Sequence, residues 1–546
     1  MKTFSHKDRT DTLNRVESVQ YDLVVIGGGI TGCGIALDAT SRGIRTLLIE
    51  MQDFAAGTSS RSTKLVHGGL RYLKQFDVST VSEVGKEREI VYNNAKHVTT
   101  PEWMLLPIYS GGTFGKYSTS VGLRVYDFLA GVKMNERRKM LSVKETLKKE
   151  PLLKRQGLLG GGYYVEYRTD DARLTLEIAK KAHAMGADLL TYCKVQDFVK
   201  TENLVSGVVI EDLLTHEYKQ VAGATIVNAA GPWVEQLIAL DAPIEGKKLL
   251  HTKGVHIVFD QKVFPLKQAV YFDTEDGRMV FAIPRDGKTY VGTTDTVYKG
   301  DLEHPSITLD DMEYVLNATR FMFPDLDLSF KDIESSWSGI RPLIHQEGKG
   351  PSEISRKDEI WKSSTGLYTI AGGKLTGYRK MAQQVVDKIQ DDLESSLAIR
   401  FRSCQTKQLR LSGGEFEDLD KLVQKAKKMT IFRDLLIDER DVEAMVRQYG
   451  SNLKTLVHCA AQMEPSERLP ASIQLVVDYG IDYEMVIRPV DFFIRRTGAL
   501  LFNRSWVTHW KEPVIEYMAE RFDWSPERKA TYTDELNKRL QEVEGI

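Results

Sequence analysis

Apolar and polar positions follow two different spacings in the first fifty residues of the chain. A short apolar run from Leu23 to Ile26, rich in β-branched residues, is typical of a buried parallel strand. A helical spacing then continues to Arg42, and Gly43 stands where a glycine commonly ends a helix. A second apolar run, Ile44 to Ile49, completes the pattern. The spacing therefore predicts a strand, a helix and a second parallel strand in one compact unit.

Outside this unit, the pattern of apolar and polar positions differs from one part of the chain to the next. The first 19 residues are polar and are interpreted as a loose arm, and residues 80–150 carry a mainly helical pattern. Strands of alternating polarity dominate residues 250–342, interrupted by a helical stretch from Leu309 to Met322. These strands predict an antiparallel sheet that forms a layer separate from the parallel one. From residue 401 onward the pattern is helical.

Two later apolar strands return to the parallel type. Thr225 to Ala230 runs into Gly231-Pro232-Trp233, and Tyr368 to Gly373 runs into a helix that starts at Leu375. The fold class we predict is α/β plus α+β, with a Rossmann-like nucleotide domain, an inserted antiparallel-sheet domain and a helical C-terminal domain. The predicted boundaries are 1–90, 150–245 and 342–400 for the discontinuous nucleotide domain, 91–149 and 246–341 for the inserted domain, and 401–546 for the helical domain.

Composition limits the classes of function that the chain can have. Of its 546 residues, 42% are hydrophobic and 27% are charged, as in ordinary globular proteins of several domains. A net charge of −2 offers no general basic field for a nucleic acid. Four scattered cysteines, without a C-x-x-C pair, indicate neither a disulfide framework nor a zinc site. No signal peptide or membrane-spanning run is found, so we expect a cytoplasmic protein whose contact with a membrane, if any, is peripheral.

The turn after the first strand carries a specific chemical signal. Gly27, Gly29 and Gly32 form the pattern G-x-G-x-x-G, and an acidic residue, Glu50, closes the second strand. In this context the first glycine permits a tight turn, the second lets the backbone approach a pyrophosphate, and the third lets the helix pack on the strand. The helix N-terminus faces the phosphates in such sites, and the acidic residue accepts hydrogen bonds from ribose hydroxyls. The pattern predicts a site for an adenine dinucleotide.

Two features bear on which dinucleotide is bound. The hydroxyl-rich stretch 52–73, in which His67 precedes Gly68-Gly69, suits a loop that lies along a cofactor and approaches a flat ring, although an ordinary Ser/Thr loop explains it equally well. A nicotinamide enzyme usually adds a second set of alternating strands and helices, whereas this chain has a large antiparallel sheet. The arrangement favours FAD. Since no attachment motif is recognisable, we expect FAD to be bound non-covalently.

Longer motifs carry a resemblance to a known family: VVIGGGITGCGIALDA, TSSRSTKLVHGGLRYL, VNAAGPWV, YVGTTDT, WSGIRPL, ISRKDEI and AGGKLTGYRKMA. Together they resemble the FAD-dependent glycerol-3-phosphate dehydrogenases, which belong to the glycine oxidase/D-amino-acid oxidase-like flavoproteins. The resemblance covers about residues 20–520, including PVDFFIRRTGALL in the helical domain. It implies oxidation of sn-glycerol 3-phosphate to dihydroxyacetone phosphate in glycerol catabolism, with electrons passing through FAD to a quinone.

A site for this substrate should hold a phosphate dianion and a group that takes the C2 hydroxyl proton. Arg341 and Arg356 lie on strands around a loop, so a hairpin can bring both guanidinium groups to a phosphate. Lys374 stands at a helix start, where a cation can stabilise a reduced flavin. His256 is the candidate base, because it points away from the apolar face of its strand and the resemblance places a histidine near the substrate. Arg341 could instead stabilise the C2 alkoxide, so the identity of the base stays open.

The remaining site residues are implied by the motifs and the resemblance. The substrate-binding set is Arg71, Tyr72, Arg341, Arg356 and Lys374, and the catalytic set is His256, Arg341 and Lys374. The cofactor-binding set is Ile26, Gly27, Gly29, Ile30, Thr31, Gly32, Glu50, Ser59, Ser60, Lys64, Leu65, His67, Val195, Ala230, Gly231, Trp233, Thr293, Gly373, Lys374, Leu375 and Thr376.

Several alternatives are left open by the sequence. An oxidase that returns electrons to O2 and yields hydrogen peroxide is the alternative to a quinone-linked dehydrogenase. A flavoprotein whose helical domain is chiefly a docking module is another, but it would require the pair Arg341 and Arg356 to be absent or misplaced, and both are present. The helical spacing of Tyr117–Val132, with basic neighbours, fits either a core helix or a helix at a membrane surface. An apolar-basic face of the C-terminal helices is a second membrane candidate, and the oligomeric state, including a homodimer, stays open.

Overall fold

The computed structural model describes residues 2–67, 78–112, 137–241, 248–345 and 358–544, which form two sheets and a helical C-terminal region. The strands are β1 (Tyr21–Ile26), β2 (Thr46–Ile49), β3 (Leu65–Val66), β4 (Thr99–Tyr109), β5 (Lys139–Leu141), β6 (Leu158–Thr169), β7 (Asp188–Leu190), β8 (Cys193–Thr201), β9 (Leu204–Asp212), β10 (Tyr218–Asn228), β11 (Leu249–Asp260), β12 (Ala269–Asp273), β13 (Met279–Arg285), β14 (Lys288–Gly292), β15 (Thr296–Val297), β16 (Ile333–Ile344), β17 (Glu359–Lys362) and β18 (Tyr368–Ala371). The α-helices are α1 (His6–Arg15), α2 (Ile30–Arg42), α3 (Val78–Asn94), α4 (Val143–Lys149), α5 (Asp171–Ala184), α6 (Val234–Asp241), α7 (Leu309–Met322), α8 (Tyr378–Leu397), α9 (Leu419–Lys427), α10 (Thr430–Asp434), α11 (Glu439–Tyr449), α12 (Leu453–Gln462), α13 (Ala471–Tyr483), α14 (Ala499–Phe502), α15 (Arg504–Phe522) and α16 (Pro526–Glu544).

The first sheet is built around the parallel strands expected from the buried apolar runs. Its strand order is β17-β18-β10-β1-β2-β7, and all neighbours from β18 to β7 are parallel. Helices α2, α5 and α8 pack together on one face, where their apolar side chains share a core with Leu23 and Val25. The hairpin β8–β9 extends from β10 and shares the core on the other face with Val24 and Ile26. The Rossmann-like part of the predicted fold class is confirmed.

The second sheet has the order β15-β11-β14-β13-β12-β4-β6-β3, with β16 paired to β11 and β5 paired to β6. Its pairs are antiparallel as expected, except that β12 runs parallel to β4. Asp286 and Gly287 form the expected hairpin turn between β13 and β14. Helix α7 has the predicted bounds and packs its apolar face against this sheet. The two sheets therefore stand as separate layers, with the chain crossing between them several times.

The domain boundaries stay a prediction, and two strands show how closely the layers are interwoven. Both β3 and β6 lie in stretches assigned to the nucleotide domain, yet they pair with each other in the second sheet. Strand β6 also pairs with β4 along nearly its whole length. Residues that follow the nucleotide-binding strand β2 therefore pass directly into the wall of the second sheet.

The expectation of a loose N-terminal arm is wrong. Helix α1 starts with a capping box between Ser5 and Asp8, and its Arg9 is only 2% exposed. The Arg9 guanidinium forms an ion pair with Asp212 and donates to the carbonyl of Thr191 at 2.7 Å. Buried charges need partners of this kind. The partners, Asp212 and Thr191, are distant in the sequence, so the polar pattern of the first residues could not reveal that the segment is packed.

The mainly helical reading of residues 80–150 is wrong in part. Helices α3 and α4 fall in this stretch, but residues 99–109 form the long strand β4. Met104, Leu105 and Leu106 are all buried, because β4 is covered on both faces and shows no alternation of polarity. The stretch Tyr117–Val132 lies outside the described residues.

The C-terminal region is helical as expected. On α11 the residues Val442, Met445, Val446 and Tyr449 form the buried face, and α16 begins at Pro526 directly after Ser525. A π-helical segment, Asp491–Arg496, interrupts the α-helices. Apolar residues of α13 to α16 share a core with the second sheet, which attaches the helical region to it. Among the residues that the structure describes, no helix is both long enough and apolar enough to span a membrane.

Candidate active site

A cavity of about 1060 Å³ lies where the carboxyl ends of β1, β2, β10 and β18 face the second sheet. Open parallel sheets bind ligands at this edge. The volume exceeds the range of about 300–1,000 Å³ that is usual for small-molecule pockets. The cavity therefore has room for a dinucleotide cofactor together with a small substrate.

The nucleotide end of the cavity is formed by the glycine turn after β1. Gly27 has φ +115°, and its N–H donates to the carbonyl of Ile49 at 2.8 Å. At Gly32 a Cβ atom would collide with the carbonyl oxygen of Gly27, so this glycine keeps α2 close to the turn. Helix α2 starts after Gly29, and Ile30 donates its N–H to the hydroxyl of Ser59 at 2.9 Å. The start of the helix thus opens onto the cavity, as a pyrophosphate site requires.

Glu50 holds this turn from the neighbouring strand end. Its carboxylate accepts hydrogen bonds from the N–H groups of Gly28 at 2.5 Å and Gln52 at 2.8 Å. Burial outweighs these bonds and raises the pKa of Glu50 to about 7. The carboxylate lines the cavity and has lone pairs left for the hydroxyls of a ribose. Its position fits the predicted role.

We expect FAD affinity to rise with pH because of Glu50. The hydroxyls of a ribose favour the ionised carboxylate, so bound FAD should lower this pKa and should be held more weakly below it. With a pKa of about 7 in the free protein, the dissociation constant should be about tenfold larger at pH 6 than at pH 8. Flavin-binding titrations across this range test the expectation. Glu50→Gln should abolish the pH dependence, and an equal dependence in both proteins would contradict it.

A second glycine turn and helix start follow β18, at the same edge of the parallel sheet as the first. Gly372 and Gly373 have positive φ, and Lys374 precedes the short 3-10 turn that leads into α8. The hydroxyl of Thr376 accepts from the N–H of His67 and donates to its carbonyl, both at 3.1 Å. Both loops line the cavity, so this contact ties two of the predicted cofactor segments together.

Arg341 occupies the wall of the cavity that belongs to the second sheet. Its guanidinium donates to the carbonyl of Thr294 at 3.0 Å, to the carboxylate of Asp295 at 3.2 Å and to the hydroxyl of Thr293 at 3.1 Å. At Gly254 on the paired strand a Cβ atom would collide with the guanidinium, so the glycine leaves room for Arg341 in this position. A guanidinium held in this way presents a fixed cation to an anionic ligand.

His256 lies close to Arg341 on the adjacent strand and is only 1% exposed. Its ring stacks on Trp337 at a centroid distance of 4.6 Å, and Nε2 is 3.0 Å from the hydroxyl of Thr63. Among the described residues Nδ1 has no hydrogen-bond partner. Burial, together with the cations of Arg341 and Lys64, holds the pKa of His256 well below its usual value. The imidazole is therefore neutral near pH 7 and can accept a proton.

Most of the predicted site residues meet at this cavity. Those that line it are Ile26, Gly27, Gly29, Ile30, Thr31, Glu50, Ser59, Leu65, His67, Val195, Ala230, Gly231, Trp233, His256, Thr293, Arg341, Gly373, Lys374, Leu375 and Thr376. Gly32 lies behind the glycine turn, where it contacts Gly27. The predicted residues Arg71, Tyr72 and Arg356 lie outside the described residues.

Two predicted cofactor residues, Ser60 and Lys64, make structural contacts beside the cavity, and their cofactor role stays a prediction. The ammonium group of Lys64 forms an ion pair with Asp171 at 2.7 Å and donates to the carbonyl of Ser60 at 2.9 Å. Both Lys64 and Ser60 are buried and are absent from the cavity wall. Lys64 needs its carboxylate partner because a buried ammonium is costly without one. The pair fastens the hydroxyl-rich loop to α5.

Sequence reasoning missed two residues that shape the site. Asp295 orients Arg341, and Thr63 contacts His256; both line the cavity. A signal existed for each, since Asp295 lies in the motif YVGTTDT and Thr63 in TSSRSTKLVHGGLRYL. Neither motif by itself tells which of its polar residues meets a residue of another strand.

The glycine turn, the acidic residue at the end of β2 and the polar wall of the second sheet define a class of protein, the dinucleotide-dependent oxidoreductases. Comparisons with known proteins agree with this class. The family "FAD dependent oxidoreductase" matches residues 22–379, and the "C-terminal domain of alpha-glycerophosphate oxidase" matches residues 404–529.

Individual relatives narrow the assignment. The chain is 57% identical to the aerobic glycerol-3-phosphate dehydrogenase of Bacillus subtilis, with 99% of this chain and 98% of the relative covered. It is 54% identical to the enzyme of the same name from Staphylococcus aureus strain USA300, with coverage of 96% and 95%. The crystal structure of a glycerol-3-phosphate dehydrogenase from Bacillus halodurans complexed with FAD matches with a TM-score of 0.85 and 47% identity, over 99% of this chain and 98% of that one. The chain belongs to the FAD-dependent oxidoreductase family, in the group of the aerobic glycerol-3-phosphate dehydrogenases.

The residues of the cavity fit FAD, the cofactor of this family. The turn at Gly27 and Gly29 and the start of α2 suit the pyrophosphate, and Glu50 suits the adenosine ribose. At Gly29 a Cβ atom would lie 3.2 Å from the Ser59 hydroxyl oxygen and within 4 Å of no other described residue beyond its chain neighbours and the backbone of its own helix, so the space in front of the backbone is open. Non-covalent attachment stays a prediction.

Proposed function

We propose that this protein oxidises sn-glycerol 3-phosphate to dihydroxyacetone phosphate and passes the electrons to a quinone, as an enzyme of glycerol catabolism. The names of the relatives support the substrate. The observation that carries the proposal is the pairing of a fixed guanidinium, Arg341, with a buried neutral imidazole, His256, on one wall of the cavity. Such a pair suits a small anionic substrate that must lose a proton.

Each residue has a task that follows from its position. Arg341 supplies a charge-assisted contact to the substrate, either to the phosphate or to the C2 oxygen. Arg71, Tyr72 and Arg356 are the further substrate-binding residues that we propose. His256 takes the C2 hydroxyl proton, because its imidazole is neutral near pH 7. FAD, when bound, would supply the acceptor for the hydride that leaves C2.

Lys374 adds a positive charge to the part of the cavity wall that follows β18 of the first sheet. It follows the glycine pair at the end of β18 and lies beside the short helical turn before α8. A cation in this place stabilises negative charge that develops on a cofactor ring. We propose that Lys374 acts in this way and also contacts the substrate.

The acceptor is tested by steady-state assays of the pure protein. With sn-glycerol 3-phosphate as the substrate, a soluble quinone analogue should support turnover, and O2 alone should support little and yield little hydrogen peroxide. The match of residues 404–529 to the C-terminal domain of an alpha-glycerophosphate oxidase makes the oxidase a specific alternative. If one hydrogen peroxide forms for each substrate oxidised, at a rate equal to the turnover rate with the quinone analogue, the protein is an oxidase.

A quinone in a lipid bilayer requires that the protein touch the membrane surface. We propose that the segment 421–436, named here the α9–α10 tip, makes this contact. Leu436 is 93% exposed, and its φ of 56° is an unfavourable conformation for a leucine. The neighbouring Lys421, Lys425, Lys428 and Arg433 are also exposed, which suits an anionic lipid surface. A cytoplasmic location and a homodimer also remain predictions.

Leu436→Ser should weaken binding to anionic vesicles. Inserting a leucine side chain into the interface contributes roughly 1.5–3 kcal/mol when burial is complete, so the loss should be about one power of ten in affinity. Vesicle flotation at low salt measures the binding, which added salt should weaken in both proteins. Leu204→Ser is the matched control, because Leu204 is 55% exposed at the start of β9, directly after the turn that follows β8. An equal loss in both variants, or in neither, would exclude the α9–α10 tip.

A further inference from the structure

The loop that follows β2 contains a buried carboxylate that does not line the cavity. Asp53 is 0% exposed and lies three residues after Glu50. Arg496 binds its carboxylate with two hydrogen bonds, at 2.6 and 2.8 Å, and the Nε of Arg495 donates to the same carboxylate. A bidentate guanidinium contact of this kind fixes orientation as well as distance. The carboxylate belongs to the nucleotide-binding part of the chain, whereas both arginines belong to the C-terminal helical region.

The two arginines end the π-helical segment Asp491–Arg496, a rare geometry that often occurs at functional positions. Within the segment, Arg495 also forms an ion pair with Asp491 at 2.7 Å. Asp491 in turn accepts a hydrogen bond of 2.6 Å from the hydroxyl of Tyr192. We name these five residues, Asp53, Tyr192, Asp491, Arg495 and Arg496, the Asp53 clamp. All of them are at most 8% exposed.

Charges dominate the energetics of this cluster. Burial alone would raise the pKa of Asp53, but Arg496 and Arg495 outweigh it and hold the pKa below its usual value. The carboxylate is therefore ionised and depends on the two guanidinium groups. Removal of one partner from a buried pair is strongly unfavourable, because the charge that remains is uncompensated.

Short backbone contacts connect the clamp to the cofactor turn. Ala55, two residues after Asp53, donates its N–H to the carbonyl of Gly28 at 3.0 Å. The N–H of Gly28 is held by the carboxylate of Glu50 at 2.5 Å. Tyr192 donates its N–H to the carbonyl of Gln52 at 2.9 Å. Both backbone groups of Gly28 are thus held by residues that flank Asp53, and Gly28 is the central residue of the pyrophosphate turn.

We propose that the C-terminal helical region sets the affinity for FAD through the Asp53 clamp. Arg495 and Arg496 are positioning residues: neither is among the described residues that line the cavity, and both hold Asp53, whose loop fixes Gly28 and Glu50. A loosened clamp lets the turn depart from the geometry that the pyrophosphate requires, and FAD leaves faster. The helical region is in this way a part of the cofactor site, although its arginines lie outside the cavity wall.

The experiment measures FAD release from the purified holoenzyme during repeated rapid gel filtration, by the visible absorbance that stays with the protein. Asp53→Asn and Arg496→Met should each accelerate release by about tenfold or more, which corresponds to about 1.4 kcal/mol. In the double variant, release should be no faster than in the more affected single variant, because the two residues act as one unit.

Lys180→Met is the matched control. Lys180 is a buried cation of the same interface, which contacts Glu484 at 3.0 Å and the hydroxyl of Tyr479 at 2.9 Å. Among the described residues it makes no hydrogen bond or ion pair with residues 50–56 or with the five clamp residues. Lys180→Met should lower the thermal midpoint like the clamp variants but change the rate of FAD release by less than about threefold. If a clamp variant fails to fold, Tyr192→Phe removes a single hydrogen bond and should still accelerate release. Clamp variants that melt earlier but release FAD no faster than Lys180→Met would overturn the proposal.

Discussion

Replacement of His256 by alanine should slow anaerobic flavin reduction by sn-glycerol 3-phosphate by about 10²–10⁴-fold, the usual contribution of a positioned base. His256 is buried in the cavity wall, and burial with two nearby cations keeps its imidazole neutral near pH 7. Loss of this group leaves the C2 hydroxyl without an acceptor for its proton while C2 transfers its hydride. Stopped-flow absorbance of the flavin measures the rate, and the FAD content should be unchanged because His256 is not part of the nucleotide turn.

A second variant separates the loss of the base from the loss of packing. His256→Phe keeps an aromatic ring against Trp337, where the present stack has a centroid distance of 4.6 Å, but carries no nitrogen. It should be as slow as the alanine variant. Thr63→Val removes only the hydroxyl 3.0 Å from Nε2 and should have a much smaller effect. If the reduction rate of His256→Ala is within about threefold of the wild-type rate, the effect is far smaller than the loss of a general base produces. The role of the base would then pass to another group, and His67 is the next residue to test.

Replacement of Arg341 by methionine should lower kcat/KM for sn-glycerol 3-phosphate by roughly 10–100-fold, since a hydrogen bond to a charged group contributes about 1.5–3 kcal/mol. Asp295, Thr293 and the carbonyl of Thr294 hold the guanidinium in the cavity, so its removal takes away a fixed cation. Steady-state kinetics with a quinone analogue measure the effect. Arg341 lowers the pKa of His256, so this pKa should rise in Arg341→Met. The acid limb of the kcat/KM profile should therefore lie at higher pH in the variant than in the wild type.

Plain glycerol tells which oxygen Arg341 contacts. If the guanidinium reads the phosphate, any activity with glycerol should hardly change in Arg341→Met. If it stabilises the C2 oxygen, both substrates should lose activity equally. Asp295→Asn is a milder companion variant that loosens the guanidinium without removing it and should lie between the wild type and Arg341→Met. An unchanged kcat/KM for sn-glycerol 3-phosphate in Arg341→Met would contradict a role in substrate binding.

The parts of the site that could be predicted from the sequence are those set by local backbone geometry. The glycine turn, the start of α2 and Glu50 lie within one strand–helix–strand unit, and each residue type has a steric or hydrogen-bonding reason to stand where it does. The buried strands β1, β2, β10 and β18 were recognisable because apolar runs of this length suit a parallel sheet covered on both faces.

The parts that could not be predicted depend on contacts between distant residues. Asp53 and Arg495 are 442 positions apart, and Thr63 and His256 are 193 positions apart. Lys64 shows the same limit in a residue whose motif suggested a different contact. Its motif placed it beside a cofactor, but a carboxylate 107 positions away, Asp171, takes its ammonium group. The role of a buried charged residue depends on the partner that folding brings next to it. A local sequence pattern does not contain the identity of that partner.

Anaerobic mixing of the FAD-loaded protein with sn-glycerol 3-phosphate tests the central proposal most directly. The proposal predicts that the oxidised flavin absorbance is lost within the enzyme's turnover time and that one dihydroxyacetone phosphate forms for each flavin reduced. Addition of a quinone analogue to the reduced protein should then restore the oxidised flavin spectrum. A flavin that stays oxidised with sn-glycerol 3-phosphate, in protein that does carry FAD, would contradict the proposed function while leaving the fold and the cofactor site intact.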